Sequence, residues 1–267
     1  MRRHISGFSN PTVKYLRSLR DKKHRKRSGQ FLVEGLRLLE DARSSGRLPQ
    51  TLVMAEGRDS HDLLARLEAD VIAAGGEVIT TTPDILSKIT GKDNAQSVTG
   101  VFDEWDTSLT ALDRSAAPIW LVAQALRDPG NLGTMLRTGD AVGAGGLILI
   151  DDCADPFSAE AVRASMGAVF TVPLAQARWD EFLPWLRGGA GQLVAASLRD
   201  AVPYRGADYA APCFILVGNE SQGLPGDYEA ACDLRVTMPM RGRADSLNAA
   251  VAAAVLAYEV LAEFEGT

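Results

Sequence analysis

The sequence predicts a mixed α/β protein with two folded units, the second of which contains a mostly parallel β-sheet. Short apolar runs alternate with amphipathic segments along most of the 267 residues. This alternation is typical of parallel strands covered by helices on both faces. A polar, aperiodic stretch at 103–118, closed by Pro118, separates two such regions and predicts a linker. The length is sufficient for two ordinary domains.

The first alternating region predicts a compact unit of four strands and four helices. A helix over 10–20 begins at Asn10-Pro11, a good capping residue followed by a good first residue. A second capped helix is predicted from Ser60 to the glycine pair at 75–76. The predicted strands are FLVEG (31–35), TLVMA (51–55), EVITT (77–81) and SVTGVF (97–102), and the other helices cover 34–46 and 83–90.

The second region has the same alternation over a longer span. Its predicted strands are IWLVAQ (119–124), GLILI (146–150), FTVPL (170–174), QLVAAS (192–197), CFILVG (213–218) and LRVTMP (234–239). Its predicted helices cover 130–143, 158–168, 179–187 and 246–264. The chain therefore divides into a basic arm (1–30), a first domain (31–102), the linker (103–118) and a second domain (119–267).

Composition and cysteine usage restrict the class of protein. Hydrophobic residues make up 46% and charged residues 23%, as in soluble globular proteins. No apolar run approaches the roughly 20 residues that span a bilayer, and no apolar region follows the charged start as in a secretory signal. Three widely separated cysteines, without a CxxC pair, argue against a zinc site or disulfides and favour a reducing, cytoplasmic location.

Positive charge is concentrated at the start of the chain. Residues 1–30 contain ten Lys or Arg and one acidic residue, whereas the whole chain has a net charge of −6. This asymmetry predicts an anionic partner at one end of the molecule; a solvated, poorly ordered tail is the alternative. The density of RDKKHRKR favours phosphate contacts, for which the candidates are Lys22, Lys23, Arg25, Lys26 and Arg27.

Three loops follow predicted strands of the second unit, where ligands bind in parallel sheets. The first, DPGN at 128–131, offers Asn131 as a helix cap, and Arg137 lies six residues further on. The second, GNESQG at 218–223, has Gly218 for close backbone approach to a ligand, Gly223 for a tight turn and Glu220 as a capping, pairing or catalytic carboxylate. Capped helices and tight turns alone would also explain these residues.

The third loop runs from Met238 to a helix predicted to begin at Ser246. Ser246 is a natural cap, and Asn248 offers an amide to the same region, although a capped core helix needs no further explanation. Other site classes are disfavoured. The sequence contains no P-loop, HExxH or GxSxG motif, and its dense glycines precede strands, which excludes a dinucleotide fingerprint and a nicotinamide oxidoreductase. All three histidines lie in the first unit, away from these loops.

Taken together, the three loops resemble the signature motifs of the SpoU family of RNA ribose 2′-O-methyltransferases, which belong to the SPOUT superfamily. The resembling segments are DPGNLGTMLRTGDAVGA, ILVGNESQGLP and MPMRGRADSLNAAVAAA, with SMGAVFTVP similar to an internal segment. The first unit resembles the family's L30e-like substrate-binding domain through GQFLVEGLRLLEDA. The departures, Asp245 for glutamate and Ala249-Ala250 for Val-Ser, do not touch the chemistry.

The resemblance implies a methyltransferase domain with a deep trefoil knot, S-adenosyl-L-methionine as cofactor, no metal, and a homodimer formed through the knot domain. The implied cofactor contacts are Gly218, Met238 and Leu247. The implied catalytic residues are Asn131, Arg137, Glu220, Ser246 and Asn248, and the counterpart of Arg137 in the family is proposed to help accept the hydroxyl proton.

The expected activity is methylation of a ribose 2′-hydroxyl in RNA, with 23S ribosomal RNA as the favoured substrate. A separate first domain and the basic arm favour ribosomal RNA over the alternative, transfer RNA. A catalytically inactive RNA-binding homologue is a further alternative, which the intact set of candidate catalytic residues disfavours.

Overall fold

A computed structural model describes residues 1–57, 62–92, 96–219 and 221–266. The predicted helix cap at Ser60 and the predicted site residue Glu220 lie outside these described residues. The chain forms two compact units. The first comprises Met1–Trp105 and Phe157–Phe170, and the second comprises Asp106–Pro156 and the chain from Thr171 onward.

Strands and helices alternate through most of the described chain. The strands are β1 (Arg2–Ile5), β2 (Gln30–Glu34), β3 (Thr51–Ala55), β4 (Glu77–Thr81), β5 (Val98–Asp103), β6 (Ile119–Gln124), β7 (Leu147–Ile150), β8 (Leu174–Ala177), β9 (Gln192–Ala196), β10 (Val202–Pro203), β11 (Cys213–Val217) and β12 (Leu234–Thr237). The helices are α1 (Pro11–Ser18), α2 (Lys22–Ser28), α3 (Leu36–Ser44), α4 (Asp62–Ala73), α5 (Pro83–Thr90), α6 (Pro129–Ala141), α7 (Ala159–Ala164), α8 (Trp179–Arg187), α9 (Gly226–Ala230) and α10 (Ala249–Glu265).

The first unit is built on a five-stranded mixed sheet in the order β1-β4-β3-β5-β2. Helices α1 and α5 contact one another, as do α3 and α4. Apolar residues of α1 and α5, including Leu16 and Ile89, form one core with Val53 and Ile79 of the central strands. Burial of these aliphatic side chains fixes both helices on the sheet.

The start of the chain is part of this folded unit. Strand β1 pairs in parallel with β4 at the edge of the sheet, and Val13, Leu16 and Leu19 are buried in its core. The alternative of a poorly ordered tail is therefore wrong. Residues Phe157–Phe170 pack with the first unit, although the predicted domain boundaries assigned them to the domain 119–267. The Phe157 ring lies 4.9 Å from that of Phe31, centroid to centroid.

The second unit is built on a seven-stranded sheet in the order β10-β12-β9-β11-β6-β7-β8, with parallel pairing at every junction. One face carries a core in which Trp120 stacks on Phe214 and the apolar residues of α8 complete the packing. Helices α6 and α10 contact each other and also contact β6. The predicted α/β class with a mostly parallel sheet is confirmed.

Two capping predictions are wrong. Asp128, not Asn131, caps α6, because its carboxylate accepts a hydrogen bond from the Asn131 backbone N–H at 2.7 Å. Asn248, not Ser246, caps α10, and its side-chain oxygen accepts from the backbone N–H groups of Ala250 and Val251. The capping residue lies three residues before the predicted one in α6 and two residues after it in α10.

We expect Asp128→Ala to destabilise the protein by about 0.5–2 kcal/mol, because the first turn of α6 loses the acceptor for an otherwise unpaired N–H. Urea unfolding followed by circular dichroism measures the change. Asp152→Ala is the matched control, since Asp152 pairs with Arg127 on the surface and both side chains are well exposed. An exposed ion pair contributes at most about 1 kcal/mol, so equal losses in the two variants would contradict the capping role.

No described helix is both long enough and apolar enough to cross a membrane.

Candidate active site

A cavity of about 340 Å³ lies at the carboxyl edge of the second sheet. Because the strands are parallel, the segments that follow β9, β11 and β12 reach the same edge, and all three line the cavity. Residues 245–247 and the first turn of α10 complete the wall. The predicted cofactor contacts Gly218, Met238 and Leu247, together with Ser246, therefore meet at one cavity of a size typical for small-molecule sites.

Gly218 makes a tight loop possible after β11. A Cβ at this position would stand 2.6 Å from the carbonyl carbon of Gly223 and 2.7 Å from the amide nitrogen of Leu224. Because Gly218 has no side chain, its backbone packs closely against that of Gly223 and Leu224. The prediction had instead explained this glycine by close approach to a ligand. Gly223 has φ +66° and donates its N–H to the Asn219 carbonyl, so the predicted tight turn is present.

Asn219, which was not among the predicted site residues, holds this loop in place. Its side-chain amide donates to the carbonyl of Ala125 at 2.9 Å, which joins the end of β11 to the end of β6. Its side-chain oxygen accepts from the backbone N–H groups of Ser221 and Gln222. Asn219 directly follows Gly218 at the end of an apolar strand, and this position in the sequence could have indicated a role in the loop.

Asn131 and Asn248, 117 residues apart in the sequence, are in direct contact. The Asn248 side-chain amide donates to the Asn131 side-chain oxygen at 3.0 Å. Helices α6 and α10 make this contact possible because their N-terminal turns lie side by side. The structure therefore brings together one residue from the first predicted motif and one from the third.

The other predicted catalytic residues are not joined to this pair by described contacts. Arg137 is exposed on α6, and it forms no hydrogen bond or ion pair with the residues that the structure describes. Ser246 is exposed at the cavity wall. Glu220 lies outside the described residues, so its position relative to Arg137 stays a prediction.

A buried carboxylate in the cavity wall was also missed. Glu229 is 7% exposed, accepts a hydrogen bond from the Ser197 hydroxyl at 2.6 Å and lies 3.4 Å from a guanidinium nitrogen of Arg199. All three side chains line the cavity. Glu229 belongs to the short helix α9, whose sequence GDYEA has no pattern that would have marked it.

The cysteine thiols are poorly suited to nucleophilic chemistry. Burial raises the pKa of Cys153 to about 11 and that of Cys213 and Cys232 to about 12. All three thiols are therefore protonated at neutral pH, where only a thiolate would be reactive. His4 and His24 belong to the first unit, and His61 lies outside the described residues.

The predicted phosphate-binding cations lie on α2 of the first unit. Lys22, Lys23, Lys26 and Arg27 are exposed. Arg25 is the exception: it is 4% exposed, and its guanidinium donates to the backbone carbonyls of Leu19 and Arg20 at 2.9 and 2.8 Å. Arg25 thus joins α2 to the preceding turn and is not available to an RNA phosphate, which corrects its predicted role.

Two protein-family models match this chain, one over each of its two sequence regions. Residues 118–258 match the model of the SpoU rRNA methylase family, a range that contains the three loops and the cavity. The chain belongs to the SpoU rRNA methylase family. Residues 10–100 match the model of the MRM3-like substrate binding domain. The resemblance of the three sequence motifs to this family is confirmed.

Relatives within the family are similar over nearly the whole chain. The 23S rRNA (guanosine(2553)-2′-O)-methyltransferase RlmP of Bacillus subtilis is 30% identical and covers 96% of this chain and 98% of its own length. The 23S rRNA (uridine(2479)-2′-O)-methyltransferase of Streptomyces viridochromogenes is 30% identical and covers 91% of this chain and 86% of its own.

A solved structure in the family has the same fold. The AdoMet-bound rRNA methyltransferase from Sinorhizobium meliloti is 38% identical, covers 98% of both chains and gives a TM-score of 0.91. The similarity in fold therefore extends over nearly the whole chain.

Proposed function

We propose that this SpoU family member uses S-adenosyl-L-methionine to methylate a ribose 2′-hydroxyl in RNA, with 23S ribosomal RNA as the substrate. The observation that carries this proposal is the meeting of the second and third motif loops at one cavity, with the first motif joined to the third by the Asn131–Asn248 hydrogen bond. Two relatives that are similar over nearly the whole chain are named as 23S rRNA 2′-O-methyltransferases. Because their names specify different nucleosides, the proposal names the RNA and the ribose hydroxyl but no nucleotide.

The residues around the cavity suit S-adenosylmethionine. Apolar side chains, among them Leu224, Met238 and Leu247, provide walls for the adenine and methionine portions, and backbone groups at Gly218 provide polar contacts. The close approach at Gly218 keeps this wall in position without a side chain. We assign the cofactor contacts to Gly218, Met238 and Leu247 on this basis.

Positioning is the main contribution of the chain to the reaction. S-adenosylmethionine supplies an electrophilic methyl group, and the ribose 2′-oxygen forms the new bond to that carbon as the sulfur–carbon bond breaks. Asn131 and Asn248, joined by their hydrogen bond, hold the acceptor ribose. Arg137 binds the phosphate of the acceptor nucleotide, to which the planar guanidinium offers two parallel hydrogen-bond donors. Holding reacting groups at attack distance contributes up to roughly 7–11 kcal/mol.

The hydroxyl proton leaves to a phosphate oxygen or a water molecule in this proposal. An arginine guanidinium stays protonated up to about pH 12 and therefore cannot accept a proton at neutral pH. Arg137 therefore organises the acceptor and stabilises negative charge that develops on the 2′-oxygen. Glu220 and Ser246, from the loops after β11 and β12, complete the set that orients the ribose and Arg137.

The first unit serves as the RNA substrate-binding domain, and the second as the methyltransferase domain. The match to a substrate-binding domain over residues 10–100 supports the first assignment. The exposed cations Lys22, Lys23, Lys26 and Arg27 of α2 supply contacts to RNA phosphates. Ribosomal RNA as substrate supports a cytoplasmic location.

The methyltransferase domain forms a trefoil knot and a homodimer in this proposal. Exposed apolar side chains on α10 support the dimer: Val251 is 47% and Tyr258, seven residues further along the helix, 54% exposed. Large apolar side chains grouped on a surface mark interaction sites. We expect a dimer by light scattering at micromolar concentration, and Val251→Asp to shift it towards monomer. A monomeric unaltered protein would contradict this proposal.

A methyl-transfer assay tests the function. Labelled S-adenosylmethionine is offered with ribosomal and transfer RNA from cells that lack this protein. Label in the large ribosomal RNA, at one alkali-resistant ribose linkage, is the expected result. Label in transfer RNA would overturn the substrate assignment. Absence of transfer to RNA and to ribosomal particles, from folded protein that binds the cofactor, would overturn the activity itself.

A further inference from the structure

The first unit contains a groove of about 900 Å³ between α1, α2 and α5 that lies outside the proposed active site. Five cationic side chains line it, and they come from two regions of sequence: Lys14, Arg17, Arg20, Lys88 and Lys92. The carboxylates in its wall are those of Asp21 and Asp84. The groove therefore carries an excess of positive charge in a chain whose overall charge is negative.

Most of these cations are not neutralised within the protein. Lys92 pairs with Glu34, and the Asp21 carboxylate is engaged as the cap of α2 by the Lys23 backbone N–H. Lys14, Arg17 and Lys88 are exposed and form no ion pair with the residues that the structure describes. Their positive charges are thus available to an anion that enters the groove.

The groove has a fixed floor. Helices α1 and α5 contact each other, and Leu16, Leu19, Ile85 and Ile89 beneath it are buried in the core of the first unit. The ends of the two helices are also in contact, since a Cβ at Gly91 would stand 2.1 Å from the guanidinium carbon of Arg20. The helices that carry the cations are therefore anchored on the core of the first unit.

We propose that this groove binds the phosphate backbone of the RNA substrate and positions it for methylation by the second unit. The proposal rests on the proposed function for its ligand, an RNA strand. Several cations along an open groove match a polyanion, and the Ser87 hydroxyl adds a hydrogen-bond donor for a phosphate oxygen. The exposed α2 side chains Lys22, Lys23, Lys26 and Arg27 lie outside the groove lining, so the two sets can be tested separately.

The test uses the full chain and 23S ribosomal RNA transcribed in vitro, with filter binding over a range of KCl concentrations. R17Q/K88Q removes one cation from α1 and one from α5. R37Q/R66Q is the matched control, because it removes two exposed cations from α3 and α4 of the same unit. K22Q/K26Q tests α2. Affinity for S-adenosylmethionine, measured by calorimetry, and the thermal midpoint verify folding of each variant.

We expect R17Q/K88Q to lower the slope of log K against log salt by about one to two units and to weaken RNA binding by about 20-fold at 0.1 M salt. Its KM for RNA rises, with kcat and cofactor affinity unchanged. RNA affinity and slope equal to those of R37Q/R66Q would overturn the proposal. Loss of RNA binding in K22Q/K26Q alone would also overturn it, in favour of α2.

Two further outcomes distinguish this proposal from related ones. Displacement of the RNA by millimolar adenosine 5′-monophosphate would overturn the assignment to an RNA backbone, because it would indicate selection of a single terminal phosphate. RNA binding that depends on the groove without methyl transfer by the unaltered chain would support the groove and overturn the proposed function instead.

Discussion

Arg137→Ala is expected to lower the rate of methyl transfer by about 10²–10³-fold, the usual loss when one donor to a developing negative charge is removed. Arg137 is exposed on α6, so truncation removes no core packing. Cofactor affinity and the thermal midpoint are therefore expected to stay unchanged. Single-turnover transfer of label from S-adenosylmethionine to RNA measures the chemical step. Arg137→Lys keeps the charge but loses the two-pronged donor, and we expect it to recover only part of the rate.

The matched control for Arg137 is Arg178→Ala. Arg178 is also an exposed arginine of the second unit, it precedes α8, and it pairs with Asp180 on the surface. Both variants remove one positive charge from the same unit, so a general electrostatic effect on RNA affinity would appear in both. Near-normal methylation by folded Arg137→Ala protein would exclude the assigned role and shift attention to Asn131 and Asn248.

The central strands of the second sheet could be predicted well because they are buried on both faces of the sheet. Strands β6 and β11 read as uninterrupted apolar runs, and every residue of each is buried. Periodicity identifies such strands directly. Edge strands gave a weaker signal. Strand β1 has the sequence RRHI and β8 the sequence LAQA, each with exposed positions, so β1 was missed and β8 was placed a few residues too early.

The predicted strand FTVPL shows why apolar content alone is insufficient. Phe170 and Val172 are buried, but they belong to a turn region that precedes β8. Helix α2 shows the opposite case, because KKHRKRS has no apolar periodicity and one buried residue, the arginine at position 25. Burial of an arginine against backbone carbonyls depends on tertiary contacts that no local pattern reveals.

The candidate site was predictable where the motif itself reaches the cavity. Gly218, Met238 and Leu247 line it as expected, and Asn131 meets Asn248. Glu229 and the groove cations Lys88 and Lys92 were not predictable, since their neighbours come from distant parts of the chain. Sequence motifs identify residues near a ligand, whereas charged surfaces assembled from several helices require the fold.

Gly218→Ala is expected to weaken S-adenosylmethionine binding by about 5- to 150-fold. The added methyl group would overlap the backbone of Gly223 and Leu224, whose nearest atom would be 2.6 Å away. Forcing a group into a closed site costs about 1–3 kcal/mol. Backbone cannot rotate aside as a flexible side chain can, so the loop must move, and with it a wall of the cavity. Isothermal titration calorimetry measures the affinity directly.

Gly242→Ala and Gly223→Ala separate the possible causes of such a loss. Gly242 lies in the loop between β12 and α10, and no atom would approach a Cβ there within 4 Å, so its substitution should leave cofactor affinity unchanged. Gly223 also has open space but has φ +66°, so its substitution adds backbone strain of about 1 kcal/mol without a clash. If steric contact within the loop shapes the cofactor wall, Gly218→Ala must lose more affinity than Gly223→Ala. Equal losses would instead make the left-handed turn at Gly223 the feature on which the wall depends, and undiminished affinity in Gly218→Ala would remove this loop from the cofactor site.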